Sequence, residues 1–132
     1  MIKIILDSNV IISGIVFGGK PRELLSHIVE GRLTLYLSKF IVDEILEILK
    51  RKFKYTQPML FAVETELLSI SVIIEPDNEI NYIADDEDDN KILECAVSGG
   101  CDYIISGDHH LLSIAKYESI EIKSVSDFLD TI

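Results

Sequence analysis

Four acidic residues stand far apart in the sequence, each where a strand end or the side of a helix can direct its carboxylate inward: Asp7, Glu44, Asp89 and Asp108. Carboxylates repel one another, so a pocket that gathers several of them is unstable unless protons or metal cations intervene. If these four converge, we expect a site for Mg²⁺ or Mn²⁺ and metal-assisted attack on a phosphodiester bond.

The first and last of these acids follow apolar segments that predict buried strands. Asp7 comes directly after one such segment, and Asp108 follows another through Ser106 and Gly107. Ligands of parallel α/β sheets bind beyond the carboxyl ends of the strands. Asn9 and Ser106 carry groups that can hydrogen-bond to a ligand carboxylate or to substrate. Capping of an ordinary turn is the alternative role for each of these polar residues.

Glu44 lies within a helical pattern that also contains two other acids. At about 100° per residue, Glu44 falls at the rim of the apolar stripe, whereas Asp43 and Glu47 point more nearly away from it. A rim position allows a side chain to reach a cleft while its stem packs on the core. The alternative is an ordinary solvated acid on the helix surface.

Asp89 closes an acidic run of five residues, 85–89. It precedes Ile92 and Leu93 by three and four residues, so it shares their face of a helix, which is predicted to be buried. We therefore select Asp89 as the acid of this run that points inward. Three other aspartates of the run are close enough for a different register: Asp85, Asp86 and Asp88.

The net charge of −11 argues against tight unaided binding to nucleic acid, because affinity for phosphate normally comes from lysine and arginine. One basic cluster stands at the end of the Glu44 helix and is a candidate for contact with phosphates: Lys50, Arg51, Lys52 and Lys54. Compensation of the helix C-terminal dipole is the alternative role for these cations.

Strand and helix patterns alternate along the chain, which predicts one α/β domain with a parallel sheet. The predicted strands are Ile2 to Leu6, Leu33 to Leu37, Ser71 to Ile74, Tyr103 to Ile105 and Ile120 to Ile122. The predicted helices are Pro21 to Glu30, Ser38 to Lys52 with Ser38 as cap, Pro58 to Leu68, Asp88 or Asp89 to Gly99, Leu111 to Ala115, and one capped by Ser126. Residues 9–14 are expected to be a short helical or irregular passage, and residues 75–86 a surface loop.

The two cysteines, Cys95 and Cys101, match neither a zinc-finger spacing nor a Cys-x-x-Cys redox pair. We interpret them as small buried thiols, which fits a reducing, cytoplasmic location. No uninterrupted apolar stretch is long enough to span a bilayer. The apolar N-terminus is interpreted as a first strand rather than as a signal peptide.

Taken jointly and in order, the acidic segments resemble the PIN-domain family. The resemblance covers essentially the whole chain, and the bacterial and archaeal branch described as toxin components of toxin–antitoxin systems is the most similar in character. It is carried by Ile4-Ile5-Leu6-Asp7-Ser8-Asn9-Val10, Glu44-Ile45-Leu46, Asp89-Asn90-Lys91-Ile92-Leu93-Glu94-Cys95-Ala96 and Asp102-Tyr103-Ile104-Ile105-Ser106-Gly107-Asp108.

The resemblance implies a three-layer α/β/α domain over residues 1–132 with a mainly parallel sheet, an acidic pocket for Mg²⁺ or Mn²⁺, and cleavage of RNA. The acids of the family fall on Asp7, Glu44, Asp89 and Asp108, and its accompanying polar residues fall on Asn9 and Ser106. It also implies two partners besides the RNA substrate, namely a cognate antitoxin protein and a second copy of the chain in a homodimer.

Three other functions compete with this one. A phosphatase with an aspartyl nucleophile usually has a second acid two residues after the first, where this chain has Asn9. A phosphoacceptor signalling domain has paired acids early and a lysine after a late strand, and no lysine follows Ile105 directly. A PIN-like fold that only binds a partner, without catalysis, is the third.

Overall fold

The computed structural model describes residues 1–77 and 86–132. Within these ranges, the strands are β1 (Lys3–Leu6), β2 (Thr34–Leu37), β3 (Ser71–Ile73), β4 (Tyr103–Ile105), β5 (Lys116–Tyr117) and β6 (Ile120–Lys123). The helices are α1 (Ser8–Val16), α2 (Gly19–Val29), α3 (Lys39–Phe53), α4 (Gln57–Ile70), α5 (Glu87–Gly99), α6 (His109–Ile114) and α7 (Val125–Leu129).

The six strands form one sheet in the order β3-β2-β1-β4-β6-β5. All neighbouring strands are parallel except β5 and β6, which pair antiparallel. The predicted α/β class with a mainly parallel sheet is therefore confirmed, and the arrangement agrees with a three-layer α/β/α fold. Most of the predicted loop at 75–86 lies outside the described residues.

The centre of the core is β1, whose residues Ile4, Ile5 and Leu6 have no exposed surface. Successive side chains of a strand point to opposite faces of its sheet. Both faces of β1 are consequently covered, which explains why its sequence is an unbroken apolar run rather than an alternating one. Helix α5 contacts β1, β2 and β4.

The chain reverses its direction across the sheet between β1 and β4. From β1 it proceeds to β2 and β3 on one side, and it then crosses to β4 on the other side of β1. At such a switch point the connections leave neighbouring strands in opposite directions and open a crevice at their carboxyl ends. Here the strands stay joined at the base of the crevice, where the Asp7 N–H donates to the Ile105 carbonyl at 3.0 Å.

The structure decides one open alternative and corrects one cap. The passage at residues 9–14, expected to be helical or irregular, is part of a regular helix, α1, whose residues Val10, Ile11 and Ile12 are buried against the core. The C-terminal helix α7 is capped by Ser124, whose hydroxyl accepts from the Asp127 N–H at 3.1 Å, and not by Ser126. The two-residue strand β5 is too short to leave a signal in the sequence.

Both cysteines are free and buried, as predicted. Burial raises the pKa of Cys95 and of Cys101 to about 12, so their thiols stay protonated and unreactive near neutral pH. Among the described residues, we find no helix with the length and apolar character that crossing a membrane requires.

Candidate functional site

Asp7 stands at the base of the crevice, immediately after β1, and is only 7% exposed. It is the N-cap residue of α1, and its Oδ2 accepts a hydrogen bond from Ser106 Oγ at 2.8 Å. Burial raises the pKa of Asp7 above its ordinary value; the bond from Ser106 opposes this rise, and the charge of Asp108 adds to it. The structure therefore holds a carboxylate where its negative charge is poorly solvated.

Ser106 links the ends of β1 and β4. It is fully buried, and its hydroxyl accepts from the Asp108 N–H at 2.9 Å while donating to Asp7. Asp108 is the N-cap residue of α6, where its Oδ1 accepts from the His110 and Leu111 N–H groups at 2.7 and 3.2 Å. These bonds fix the orientation of the Asp108 carboxylate beside Asp7.

Asp89 enters the same crevice from the first turn of α5. It is 5% exposed, as its shared face with the buried Ile92 and Leu93 predicted. The helix is capped by Asp86, whose Oδ1 accepts from the Asp89 N–H at 3.1 Å. Asp86 is thus held close to Asp89, at the start of the helix.

The charge state of Asp89 reflects its surroundings. The pKa of Asp89 is raised to about 7, chiefly by burial. The hydrogen bond with Asp86 and the negative charges of Asp108, Asp86 and Asp7 add to this rise. Its Oδ2 is buried and has no hydrogen-bond partner within residues 1–77 and 86–132. A buried carboxylate oxygen without a donor is a costly feature unless a cation binds there.

Three carboxylates have the spacing that a single cation requires. Asp86, Asp89 and Asp108 each present one oxygen, and these three atoms lie within 4.8 Å of one another. Ligand oxygens bind Mg²⁺ and Ca²⁺ at about 2.0–2.6 Å, so oxygens on opposite sides of one ion are separated by about twice that distance. The all-oxygen donor set and the unsatisfied Asp89 Oδ2 fit a hard divalent cation.

Glu44 approaches the crevice from α3 and is half-buried. The Ser8 hydroxyl donates a short hydrogen bond to Glu44 Oε1. Burial raises the pKa of Glu44, and the hydrogen bond from Ser8 opposes this rise. A hydrogen bond shared with Asp88 and the negative charges of Asp88 and Asp7 raise the pKa further. Glu44 therefore joins the acidic cluster on the side of Asp88.

The two other acids of α3 point into solvent, as the helical phase predicted. Asp43 Oδ2 lies 2.6 Å from Lys39 Nζ, and Glu47 Oε1 lies 2.8 Å from Arg51 Nε. Both are exposed ion pairs of the (i, i+4) type, which stabilise a helix only slightly. Of the three acids on α3, Glu44 alone is placed among the other carboxylates.

Asn9 is exposed on the first turn of α1. Its backbone N–H, together with that of Ser8, bonds to Asp7 and lowers the pKa of that residue. The contact shown is thus made by the backbone, and a role for the Asn9 side chain toward ligand or substrate stays a prediction.

The basic cluster occupies the last turn of α3 and the residue after it, and all four side chains are exposed: Lys50, Arg51, Lys52 and Lys54. At about 1.5 Å of rise per residue, Lys50 lies roughly 9 Å along the helix axis from Glu44. Arg51 is paired with Glu47, and Lys54 Nζ donates to the Arg51 carbonyl at 3.2 Å. The cluster is therefore separate from the acids, and its contact with substrate stays a prediction.

The structure adds Ser8 to the site and places Asp86 and Asp88, which the sequence offered as alternatives to Asp89, at the site together with it. An aspartate directly before a helix is a common N-cap, so the position of Asp86 was a detectable signal. The contact of Ser8 with Glu44 joins residues 36 positions apart and leaves no local signal. At Gly107, in the turn before Asp108, the backbone φ lies outside the left-handed region and a Cβ would meet no atom within 4 Å.

Two comparisons with known proteins agree with this geometry. A family model described as PIN domain matches residues 3–110, a range that includes Asp7, Glu44, Asp89 and Asp108. The chain is also 35% identical over 118 residues to an uncharacterized protein of Methanocaldococcus jannaschii, with 86% of this chain and 75% of that protein covered. PIN domains have a nuclease-like fold and typically use divalent metals. By this match and this fold, the chain belongs to the PIN-domain family.

Proposed function

We propose that the protein is a metal-dependent endoribonuclease that hydrolyses phosphodiester bonds of RNA. The observation that carries the proposal is the convergence of carboxylates from three separate parts of the chain at the switch point of the sheet. Asp7 follows β1, Asp108 follows β4, and Asp86 and Asp89 come from the start of α5. Structural ion-pair networks match acids with bases, whereas this cluster consists of acids.

Asp86, Asp89 and Asp108 would hold one Mg²⁺ or Mn²⁺ ion through their carboxylate oxygens, with Asp7 beside them. Glu44 and Asp88 border the same cluster and would provide oxygens for a second ion. A bound divalent ion supplies Lewis-acid chemistry, in that it lowers the pKa of a water molecule and offsets negative charge on the phosphate.

The reaction is an in-line displacement at phosphorus. The oxygen of water forms a bond to phosphorus and loses a proton, the bond to the leaving ribose oxygen breaks, and the leaving oxygen gains a proton. The contribution of the chain is to orient the acids before the substrate arrives. Ser106 fixes Asp7, and Ser8 fixes Glu44, so little reorganisation is needed during the reaction.

Affinity for RNA requires cations, because the net charge of the chain is −11. We assign this role to the basic cluster at the end of α3. An RNA strand of a few nucleotides is longer than the roughly 9 Å of helix axis between Glu44 and Lys50. Lys52→Gln combined with Lys50→Gln should reduce the salt dependence of RNA binding, because each phosphate of a single strand that a lysine neutralises adds about 0.7 to the slope.

The resemblance of the sequence to toxin components of toxin–antitoxin systems also suggests a cellular role. We infer that the protein acts in the cytoplasm, that a cognate antitoxin protein silences it, and that it forms a homodimer. Expression of the wild-type chain should then arrest growth of a host, whereas Asp7→Asn, expressed to the same level, should not. Equal growth of the two cultures would contradict the toxin role without touching the nuclease assignment.

The nuclease assignment is tested by incubating the purified protein with end-labelled RNA and Mn²⁺, with and without chelator. We expect cleavage that the chelator abolishes and that falls at least about 100-fold in Asp7→Asn and Asp89→Asn. Asp130→Asn, at an exposed position after α7, is the matched control and should cleave like wild type. The absence of chelator-sensitive cleavage across varied RNAs would favour a PIN-like fold that only binds a partner.

A further inference from the structure

A cavity of about 500 Å³ opens beyond the carboxyl ends of β2 and β3. It lies between the N-terminal turn of α3, the end of β3 and one side of α5, and Phe40, Ile73, Pro76 and Lys91 are among its lining residues. None of the carboxylates assigned to the cation site lines it. Its volume is within the range of sites that bind small organic groups.

The strand register places this cavity next to the acids. Ile5 of β1 pairs with Tyr36 of β2 in parallel, so Asp7 and Ser38, two residues further along, leave neighbouring strands side by side. Neighbouring strands are about 4.8 Å apart. Ser38 lines the cavity. On α5, Lys91 lines the cavity two residues after Asp89 and about 200° further round the helix, so the strand ends, and not α5, connect the cavity with the acids.

The wall of the cavity includes an aromatic ring that is open to solvent. Phe40 is 40% exposed and Ile73 is 41% exposed, both large fractions for apolar side chains. An exposed aromatic ring beside a nuclease site is a platform on which a nucleobase can stack, and base–aromatic stacking is tolerant of sequence. Water-exposed apolar surface in a cavity of this size also favours occupation by a flat, largely apolar group.

The charges of the cavity favour a neutral occupant. Among the described residues that line it, two carry ammonium groups, Lys39 and Lys91, and three carry carboxylates, Glu75, Asp77 and Glu94. Both lysines already lie near carboxylates, since Lys39 Nζ is 2.6 Å from Asp43 Oδ2 and Lys91 Nζ is 3.6 Å from Glu94 Oε1. A phosphate would meet net negative charge here, whereas a base is neutral and has both donors and acceptors along its edge.

We propose that this cavity binds one nucleobase of the RNA substrate, stacked on Phe40, while an adjacent phosphodiester lies at the acids. The inference rests on the proposed ribonuclease function and narrows its substrate class. A base within a duplex is stacked on its neighbours and unavailable, so the nucleotide next to the cleaved bond must be unpaired. The protein is accordingly selective for single-stranded segments and loops.

The first test uses the wild-type protein and short single-stranded RNAs that each lack one base, at successive positions on both sides of the cleaved bond. We expect one position near that bond at which loss of the base raises KM about tenfold, while kcat changes little. Cleavage in the middle of a duplex should be much slower than cleavage in a loop of the same sequence.

The second test assigns the effect to Phe40. Phe40→Ala should raise KM for the intact RNA about tenfold, and loss of the base at the sensitive position should then raise KM no further. Phe40→Trp should retain the wild-type KM for the intact RNA and the wild-type rise in KM for the abasic RNA. The matched control is Phe61→Ala, which removes an exposed phenylalanine on α4 that does not line the cavity. Thermal unfolding of each variant separates loss of binding from loss of folding.

The results distinguish the inference from the function on which it rests. If no RNA is cleaved in a metal-dependent manner, the proposed function fails. If RNA is cleaved but no abasic position raises KM, the base-binding cavity is wrong even when every phenylalanine variant is unfolded. Equal KM values for Phe40→Ala and Phe61→Ala, with both proteins folded, would also overturn it.

Discussion

Asp89 is the residue whose surroundings depend most on a bound cation. Its Oδ2 has no hydrogen-bond partner in the described part of the chain, and Asp86, Asp108 and Asp7 add negative charge around it. In the metal-free protein, a proton is the other cation that relieves this arrangement. Metal binding and protonation should therefore compete at Asp89, and the stability of the metal-free protein should depend on pH.

The direction of this pH dependence follows from the pKa of Asp89, which is raised from 3.8 to about 7. Between these values the native state binds a proton that the unfolded state has released, so the stabilisation is fully present below about pH 4 and is lost as the pH rises through about 7. We predict that the free energy of unfolding in chelator falls between about pH 4 and pH 7 and levels off above that. Urea unfolding at each pH measures it.

The matched variants identify the group responsible. Asp89→Asn keeps the shape of the side chain without the titrating proton, so it should remove much of the fall in stability. Asp130→Asn, at an exposed position, should keep the wild-type dependence. Should Asp89→Asn lose stability with rising pH as steeply as wild type, another acid would be the source.

A second prediction at this scale concerns Ser106, which is fully buried and bonds to both Asp7 and Asp108. Ser106→Ala leaves two polar groups without that partner, so we expect it to reduce the free energy of unfolding by about 1–3 kcal/mol. The control is Ser113→Ala, which removes an exposed hydroxyl and should cost less than about 0.5 kcal/mol. Equal losses in urea unfolding would mean that Ser106 is not a structural link between β1 and β4.

At the scale of elements, the geometry of the site depends on where α5 begins and ends. It begins after Asp86, whose carboxylate caps the helix, and it ends at Gly100, which has a left-handed backbone with φ of 63°. The sequence alone left open which acid of the first turn points inward, because the five consecutive acids at 85–89 all offer a carboxylate. The helical phase of Ile92 and Leu93 identified Asp89 as the buried acid. Which neighbouring acid lies beside Asp89 depends on the cap of the helix and on tertiary contacts.

The end of α5 gives a prediction with a close control. A Cβ at Gly100 would meet no atom within 4 Å, so Gly100→Ala introduces left-handed strain alone. We expect it to lower the free energy of unfolding by about 1 kcal/mol. Gly107→Ala, where the space is equally open and φ is not left-handed, should be close to neutral. Similar losses for both variants would contradict the conformational explanation.

At the scale of the whole molecule, much of the fold could be predicted from the sequence. The unbroken apolar run before Asp7 predicted a central strand covered on both faces, and the alternation of patterns predicted the parallel sheet. The chain alone could not show that β4 lies beside β1, because strand order depends on long-range packing. That neighbourhood brings Ser106 to Asp7 and Asp108 into the same crevice, and the contact of Ser8 with Glu44 likewise depends on tertiary packing.

The proposed chemistry depends most on the sharing of one divalent cation by acids that are remote in sequence. The direct measurement is titration of the purified protein with Mn²⁺, followed by the electron paramagnetic resonance signal of the free ion. We predict that wild type binds Mn²⁺, that Asp89→Asn and Asp108→Asn each weaken the affinity about tenfold or more, and that Asp130→Asn does not. Absence of Mn²⁺ binding by wild type, or unchanged affinity in both site variants, would contradict the shared cation site.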